Sequence, residues 1–159
     1  IGTAKGNSTI AIAQALEDNG CGMLHTIDPV RQQIVDIAVR KSGLGHRIKY
    51  HIGFSYDVVP RLAVPQIDFA FIDGDHEYRH VAADFALVRD RVARDGLVAF
   101  HDTCLFEGPR KVFAEAVADG VFCGLSLPTM TGVVMGDIPV VSQGAAGFVP
   151  VGFSVCRKL

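Results

Sequence analysis

Residues 67–76 read IDFAFIDGDH, and this stretch decides the fold class. Its first six residues form a nearly continuous apolar run, which is typical of a strand that is covered on both faces. A second buried run follows at 97–100, and between the two runs Val81, Phe85, Val88 and Val92 recur at helical spacing. Strand, helix and strand in this order predict parallel strands that are joined by a crossover helix.

The same alternation extends to both sides of this unit. The pattern predicts strands at Met23–Ile27 and Arg47–Ile52, a short helix over Asp57–Leu62, and only strands and turns from Val121 onward. Four longer helices are also predicted. The first is capped by Asn7 or Ser8 and carries Ile10, Ala13 and Leu16, and the second starts at Asp28-Pro29 and buries Val30, Ile34, Ile37 and Ala38. The third ends at Asp95-Gly96, and the fourth buries Val112, Phe113, Ala116 and Val117.

This order of elements predicts an α/β fold with a Rossmann-like, doubly wound, mostly parallel sheet, whose ligands bind at the carboxyl ends of the strands. We expect strands after Gly120 to reverse the direction of the sheet at one edge. We expect one domain over residues 1–159. The sequence opens directly on a glycine turn at Gly2, so we expect that the strand which normally feeds such a turn, usually a central one, is missing from it.

Composition excludes several classes of protein. Hydrophobic residues make up 49% of the chain and charged residues 20%, which is too apolar for a disordered segment. Fifteen Lys and Arg against 17 Asp and Glu give a net charge of -2, so we expect no nucleic-acid partner. A small-molecule substrate is the more natural expectation.

Compartment and assembly follow from the cysteines and from the apolar end of the chain. The charge-free stretch Ile138–Cys156 is interrupted by Pro and Gly, so we expect buried or edge strand rather than a membrane span. We also expect no signal peptide, and we expect an edge-strand contact between copies of the chain in the region 121–159. Scattered cysteines without a C-x-x-C pair indicate reduced thiols in the cytoplasm: Cys21, Cys104, Cys123 and Cys156.

The first candidate motif is the glycine turn IGTAKGNS at residues 1–8. Small residues let the backbone approach a ligand closely, and the following helix offers free N–H groups. The pattern is neither G-x-G-x-x-G nor a Walker A loop. Asp28 follows 22 residues after Gly6, a spacing at which an acidic residue binds ribose hydroxyls in nucleotide-binding α/β folds. The alternative is that Asp28 caps the helix that starts at Pro29.

The second candidate site lies at the ends of two neighbouring strands, where Asp73 and His76 follow the first strand and His101 and Asp102 follow the second. Because neighbouring strands lie about 4.8 Å apart, Asp73 and Asp102 can converge. Converging carboxylates repel unless a proton or a cation lies between them. The oxygens favour Mg²⁺, and His101 as a further ligand would admit Mn²⁺, Fe²⁺ or Zn²⁺. A His–Asp pair without metal is the alternative, and Asp75 is interpreted as a helix cap.

Taken together, these residues resemble the class I S-adenosylmethionine (SAM)-dependent methyltransferases, over roughly Ile1–Met135. IGTAKGNST resembles the first motif of the small-molecule O-methyltransferases of the catechol and caffeoyl-CoA kind. FIDGDHEY followed by GLVAFHD is closer to the bacterial branch that includes macrolide sugar O-methyltransferases. The resemblance implies transfer of a methyl group from SAM to a hydroxyl of a small molecule, with help from a divalent metal.

The resemblance also implies roles for single residues. Asp73 and Asp102 match metal-ligand positions, whereas His101 stands where relatives carry an acidic ligand, which lowers the negative charge of the site. His76 matches a general base of the macrolide branch, with Asp73 beside it as a catalytic residue. The implied cofactor-binding residues are Gly2, Thr3, Ala4, Gly6 and Ser8 at the methionine end, Asp28 at the ribose, Gly53, Phe54 and Ser55 around the adenosine, and Asp73.

Three other functions stay open at this point. An NAD-linked oxidoreductase is disfavoured by the glycine pattern. A metal-dependent hydrolase would use Asp73, His76, His101 and Asp102 to hold a metal-bound water. A non-catalytic cofactor-binding or scaffolding domain would bind SAM without transferring its methyl group. The remaining histidines have no partner motif and are interpreted as structural or solvated: His25, His46, His51 and His80.

Overall fold

The structure is a computed structural model that describes residues 1–127, 130–131, 149–150 and 152–159. The chain divides into two compact units, Ile1–Val64 and Pro65–Leu159. Each unit has its own sheet, and the expectation of one domain over the whole chain stays a prediction.

The first unit is built on two parallel strands. These are β1 (Leu24–Asp28) and β2 (Ile48–Ile52), and they pair in register from Leu24 opposite Ile48 to Asp28 opposite Ile52. Its helices are α1 (Asn7–Asp18), α2 (Gln33–Ser42) and α3 (Ser55–Val58), with short 3₁₀ turns at Leu44–Arg47 and Val59–Arg61.

The second unit contains a four-stranded mixed sheet in the order β3-β4-β8-β5. Strands β3 and β4 are parallel, and β8 runs antiparallel to both of its neighbours, β4 and β5. The elements are β3 (Ile67–Ile72), α4 (Tyr78–Arg89), β4 (Val92–His101), α5 (Glu107–Ala118), β5 (Phe122–Leu127), β6 (Met130–Thr131), β7 (Val149–Pro150) and β8 (Phe153–Lys158). The short strands β6 and β7 pair with each other.

A cluster of aromatic side chains holds the helices of the second unit against β4. Phe100 is fully buried, and its ring centroid lies 5.5 Å from that of Phe85 on α4 and 6.2 Å from that of Phe113 on α5. Phe122 of β5 completes the cluster, 5.6 Å from Phe85. Because Phe100 directly precedes His101, this packing fixes the strand end at which the candidate polar residues begin.

The predicted α/β, Rossmann-like fold is confirmed, with a mixed sheet in the second unit. The predicted reversal after Gly120 is also found, because β8 is antiparallel to β4. The predicted end of the fourth helix is wrong: α4 ends at Arg89, and Val92 already belongs to β4. Val92 fits the helical spacing of α4 and the strand pattern equally well, so periodicity could not decide between them.

The predicted buried face of α2 is wrong as well. The buried residue of this helix is Val35, whereas Val30, Ile34 and Ile37 are 61%, 52% and 41% exposed. The helix begins at Gln33 rather than at Asp28-Pro29, so Val30 lies before it. Apolar residues occur on both faces of this short helix, and their spacing alone does not show which face is covered.

None of the helices in the described ranges is long and apolar enough to cross a membrane. Of the charge-free stretch Ile138–Cys156, residues 138–148 and 151 lie outside the described residues, residues 149–150 form β7, and residues 153–156 belong to β8. The expected contact between copies of the chain in region 121–159 also falls partly outside them and stays a prediction.

Candidate functional site

The glycine turn of the first unit is a closed loop that leads into α1. Gly2 N–H donates to the carbonyl of Ile27 over 2.9 Å, and Gly6 N–H donates to the carbonyl of Thr3 over 2.8 Å. Gly2, Ala4 and Gly6 all have positive φ, at 88°, 43° and 86°. Gly6 is the N-cap of α1, so the prediction of Asn7 or Ser8 as cap is wrong; Ser8 lies in the first turn of the helix. The left-handed conformation at this position favours glycine.

The carboxylate of Asp28 ties this turn to the end of β1. Its Oδ2 accepts hydrogen bonds from the backbone N–H groups of Thr3 (3.0 Å) and Ala4 (2.9 Å). Its Oδ1 accepts one from Val30 N–H at 2.8 Å. Asp28 therefore does not cap α2, which begins five residues later at Gln33. A carboxylate oxygen that accepts a single N–H keeps a lone pair, so Oδ1 can accept one more hydrogen bond.

The side chain of Thr3 faces the interior rather than the turn's surface. Its hydroxyl lies 2.7 Å from that of Thr26, which is 3.3 Å from that of Thr9, and all three side chains are buried. Thr3 thus offers a ligand only its backbone. Thr9 and Thr26 support the turn from below and were missed by the sequence analysis, because a threonine in a strand or helix pattern carries no signal of its own.

The segment after β2 adjoins Asp28. Gly53 has a φ of 147°, and its N–H donates to the carbonyl of Asp28 over 3.0 Å. Phe54 is 53% exposed and stacks on Tyr56, with ring centroids 5.3 Å apart. Ser55 begins α3. Gly53 and the glycine turn therefore both bind Asp28. Tyr56, which no sequence motif indicated, lies beside Phe54 in this segment.

In the second unit, Asp73, His76 and Asp102 come together at the ends of β3 and β4. One ligand atom from each of these residues lies within 4.8 Å of the others. His76 Nε2 lies 2.9 Å from Asp102 Oδ2, and His101 Nδ1 lies 3.3 Å from Asp73 Oδ1 and 3.1 Å from Asp102 Oδ1. The expected convergence of the two carboxylates is thus present, and both histidines of the motif take part in it.

These short contacts are poorly aligned as hydrogen bonds. Among the described residues, the buried side-chain atoms without a hydrogen bond of good geometry are His76 Nε2, His101 Nδ1 and Asp102 Oδ1. The backbone of Asp102 is also unusual, with a φ of 58°. Its carbonyl accepts N–H groups from Leu105 (3.0 Å) and Phe106 (2.9 Å), which holds this turn. Buried polar atoms without aligned partners and strained backbone both concentrate at functional sites.

The close contacts between histidines and aspartates shift the pKa values of His101, His76 and Asp102. Contact with Asp102 and then with Asp73 raises the pKa of His101 to about 10, against the opposing effect of burial. Contact with Asp102 also raises the pKa of His76. Burial acts to raise the pKa of Asp102, but the contacts with His101 and His76 together outweigh it and lower that pKa to about 2. At neutral pH, His101 is therefore an imidazolium and Asp102 a carboxylate.

The other polar residues of the motifs have structural partners. Asp75 accepts the N–H of Glu77 at 2.8 Å and contacts His80 at 2.8 Å, so it supports the entry to α4, whose N-cap is Glu77. His46 pairs with Glu17 at 2.8 Å. His25 and His51 form a stacked pair with ring nitrogens 3.1 Å apart.

With this geometry established, comparison with known proteins assigns the family. A family model described as a methyltransferase domain matches residues 1–103. The chain belongs to this family of methyltransferase domains. The matched region holds the glycine turn, Asp28, the segment after β2 and the whole cluster around Asp102.

Among curated relatives, a catechol O-methyltransferase of Mycobacterium tuberculosis is 29% identical over 108 residues, which are 68% of this chain and 48% of that enzyme. A catechol O-methyltransferase of Niastella koreensis is 31% identical over 110 residues, 62% of this chain and 50% of that enzyme. The methyltransferase domain thus spans about half the length of the curated relatives it matches.

Solved structures show the same fold. An O-methyltransferase from Bacillus cereus was crystallised with S-adenosylhomocysteine (SAH). It superposes on this chain with a TM-score of 0.76 at 18% identity, and the aligned region covers 99% of this chain and 71% of that one. The O-methyltransferase TomG from Streptomyces achromogenes, crystallised with SAM, gives 0.73 at 21% identity, with 99% and 70% coverage. These similarities show that the methyltransferase domain shares the fold of these two O-methyltransferases.

Proposed function

We propose that this methyltransferase domain binds SAM and transfers its methyl group to a hydroxyl of a small molecule, with a divalent cation at the cluster of the second unit. The observation that carries the proposal is the group of Asp73, His76 and Asp102, whose ligand atoms lie within 4.8 Å of one another in a chain of this family. Catechol is the first acceptor to test, because both curated relatives carry that name.

The donor set of the cluster fits a small divalent cation. Metal–ligand distances of about 2.1 Å put neighbouring ligand atoms about 3.0 Å apart and opposite ones about 4.2 Å apart. The 2.9 Å separation of His76 Nε2 from Asp102 Oδ2 is a ligand-to-ligand distance of this kind. That contact is misaligned as a hydrogen bond, which is expected when two donor atoms point at a third position. The two carboxylates suit Mg²⁺ or Mn²⁺, and the imidazole favours a transition metal such as Mn²⁺ over Mg²⁺.

We infer that His76, rather than His101, supplies the nitrogen of this ligand set. His101 Nδ1 faces both aspartates, and their contacts raise its pKa to about 10. Among the described residues, the ligand atoms that lie close enough together to share one cation come from Asp73, His76 and Asp102, and His101 is not part of that group. In this arrangement His101 is a fixed positive charge between Asp73 and Asp102, and it reduces their mutual repulsion.

On the cofactor side, SAM supplies an electrophilic methyl group on a positively charged sulfur. In the proposal, the backbone of the glycine turn approaches the methionine part of SAM, which the small residues Gly2, Ala4 and Gly6 permit. Asp28 Oδ1 accepts the N–H of Val30, and its second lone pair binds a ribose hydroxyl. Phe54, largely exposed after β2, provides an apolar surface for the adenine.

On the acceptor side, a bound cation lowers the pKa of a coordinated hydroxyl. Asp73 and Asp102 attract that cation to the ends of β3 and β4, and the contacts of Asp102 with His76 and His101 hold its carboxylate in place. A cation held by these residues would bind the acceptor oxygen at the ends of β3 and β4 and limit its freedom to move, which favours methyl transfer.

A second mechanism is favoured by one specific observation, the 2.9 Å contact between Asp102 and His76 Nε2. In it, Asp102 orients the imidazole, and the other ring nitrogen of His76 takes the proton from the acceptor hydroxyl without a metal. His101 then replaces the cation as counter-charge. This mechanism corresponds to the macrolide sugar branch of the resemblance, so a glycoside hydroxyl is the second acceptor class to test.

The test uses radiolabelled SAM with catechol or a methyl glycoside, on protein treated with chelator and then supplied with Mg²⁺, Mn²⁺ or no metal. We expect transfer to catechol that requires added metal. We expect loss of about 10²–10⁴-fold in turnover for His76→Ala and Asp102→Ala. His80→Ala, which alters an exposed histidine of the same unit, is the matched control.

The outcomes separate the functions. Full activity after chelation, together with loss in His76→Ala, would support the metal-free mechanism. SAH binding by calorimetry without transfer to either acceptor class would favour a non-catalytic domain. Absence of SAH binding would contradict the proposal, and metal-dependent ester hydrolysis without SAM would then support the hydrolase.

A further inference from the structure

The first turn of α5 lies directly against the backbone of His76, and Gly108 makes this possible. Gly108 is buried, and a Cβ at this position would lie 2.8 Å from Tyr78 N, 3.0 Å from the carbonyl carbon of His76, and closer still to the His76 carbonyl oxygen. Its φ is not in the positive range, so the position requires glycine for space rather than for conformation. Backbone atoms cannot move aside by changing a rotamer, and any side chain here must displace the His76 segment.

Phe106, two residues earlier, covers one face of the His76 ring. The two rings stack with centroids 4.1 Å apart and an angle of 13° between their planes. Phe106 is itself fixed by its N–H, which donates to the Asp102 carbonyl over 2.9 Å. The short segment 102–108 thus contacts His76 in three ways: Asp102 at Nε2, Phe106 on the ring face, and Gly108 at the main chain.

We propose that Phe106 and Gly108 are positioning residues for His76. Gly108 sets where the main chain of His76 lies, and Phe106 sets the plane of its ring. Together they keep Nε2 beside Asp102 Oδ2. The importance of this for catalysis rests on the function proposed above. A displacement of about 1 Å at a reacting group can cost about 10²-fold in rate, and changes in residues that orient metal ligands cost about 10–100-fold in metal affinity or activity.

Four variants test the proposal. Gly108→Ala pushes on the His76 backbone, and Phe106→Leu removes the flat face while keeping an apolar side chain. Phe106→Tyr keeps the stacked ring and serves as the conservative rescue. Gly45→Ala is the matched control, because a Cβ at Gly45 would meet only Val39 Cγ1, at an ordinary distance of 3.5 Å.

Three measurements are made on each variant, at a temperature well below its melting point. These are kcat and KM with catechol and SAM, Mn²⁺ affinity after chelator treatment, and the NMR resonances of the His76 ring, assigned with His76→Gln. We expect Gly108→Ala and Phe106→Leu to lose about 10–100-fold in kcat and in Mn²⁺ affinity. We expect SAH affinity to be unchanged, and Phe106→Tyr and Gly45→Ala to behave as the parent.

The ring resonances provide a test that does not depend on activity. Loss of the stacked Phe106 ring shifts the His76 ring protons, and displacement of the His76 backbone shifts them as well. If the parent neither transfers methyl groups nor binds Mn²⁺, the proposed function fails, while shifted His76 resonances in Gly108→Ala, which keeps the Phe106 ring, still support positioning. Unchanged resonances in both variants would overturn the inference. So would parent-like kcat and Mn²⁺ affinity in both variants of an active enzyme, or a Phe106→Tyr variant as impaired as Phe106→Leu.

Discussion

His101 stands between two aspartates, and its protonation links the stability of this cluster to pH. Its Nδ1 lies 3.3 Å from Asp73 Oδ1 and 3.1 Å from Asp102 Oδ1. Contact with these carboxylates raises the pKa of His101 to about 10 from an ordinary value of 6.5. A raised pKa in the folded state means that the protonated ring binds its partners more tightly than the neutral ring does. The contribution of protonated His101 to the free energy of unfolding is complete below about pH 6.5 and is lost between about pH 6.5 and 10.

We predict that His101→Gln lowers the free energy of unfolding most between about pH 4 and 6.5. The loss is about 1–2 kcal/mol, less than the pKa shift alone implies, because 35% of the His101 side chain is exposed to solvent. Toward alkaline pH the difference from the parent shrinks as His101 loses its proton. Toward acid pH it shrinks as Asp102, whose pKa is lowered to about 2, takes one up.

Urea unfolding in the presence of chelator, from pH 3 to pH 10, measures this difference. His80→Gln serves as the control, because His80 contacts the exposed Asp75. A difference between His101→Gln and the parent that stays constant across the whole range would contradict an ionic role for His101.

At the scale of single residues, the sequence could identify the polar residues that follow the strands, but not the residues of a later segment that pack against them. Asp28 was expected beside the glycine turn, and Asp73 and Asp102 were expected to converge, because strand ends in a parallel sheet share an edge. Gly108 could not be recognised, since nothing in a helical glycine signals that another backbone lies against it. Likewise, the choice between His76 and His101 depends on which histidine places a ring nitrogen close to carboxylate oxygens of both Asp73 and Asp102 in a metal-sized group, and only three-dimensional geometry decides that.

At the scale of elements, the C-terminus of α4 depends on a lysine from β8. Lys158 Nζ donates to the carbonyls of Arg89 (3.1 Å) and Val92 (2.9 Å), with Asp90 at 3.5 Å. The last carbonyls of a helix lack intrahelical partners, and a cation interacts favourably with that end of the helix dipole. Lys158 therefore joins the end of α4, the start of β4 and β8.

We predict that Lys158→Met destabilises the protein by about 1–2 kcal/mol, since methionine keeps the apolar stem and removes the donor. Chemical denaturation at neutral pH measures the effect. Lys41→Met, at an exposed lysine in the last turn of α2, should cost a few tenths of a kcal/mol, as surface changes usually do. Equal losses in the two variants would show that the carbonyl contacts of Lys158 contribute nothing specific.

Elements whose apolar residues fit only a strand spacing or only a helix spacing were predicted well. Elements whose apolar residues fit both spacings were not. The strand Ile67–Ile72 was predicted with its observed bounds, since a continuous apolar run between polar neighbours has one interpretation. The end of α4 was placed too late because Val92 continues the helical spacing. The covered face of α2 was wrong because burial depends on neighbours that the local sequence does not contain.

At the scale of the whole molecule, the proposal assigns two ligands to two separate sets of residues. The glycine turn and Asp28 belong to the first compact unit, and the cluster of Asp73, His76 and Asp102 belongs to the second. A ligand that binds only the folded protein stabilises it by about 2.7 kcal/mol at a hundred times its Kd. For a chain of about this size, that corresponds to a rise of about 5–10 °C in Tm.

We predict a crossed pattern when Tm is measured with SAH or Mn²⁺ on two variants. SAH should raise the Tm of the parent and of Asp102→Ala but not that of Asp28→Ala, because Asp28 both shapes the glycine turn and binds the ribose. Mn²⁺ should raise the Tm of the parent and of Asp28→Ala but not that of Asp102→Ala, because removal of this carboxylate leaves Asp73 and His76 too few to hold the ion. Each variant is thus the folded control for the other. A Mn²⁺ response that survives in Asp102→Ala would place the ion elsewhere, and an SAH response that survives in Asp28→Ala would remove the ribose role from Asp28.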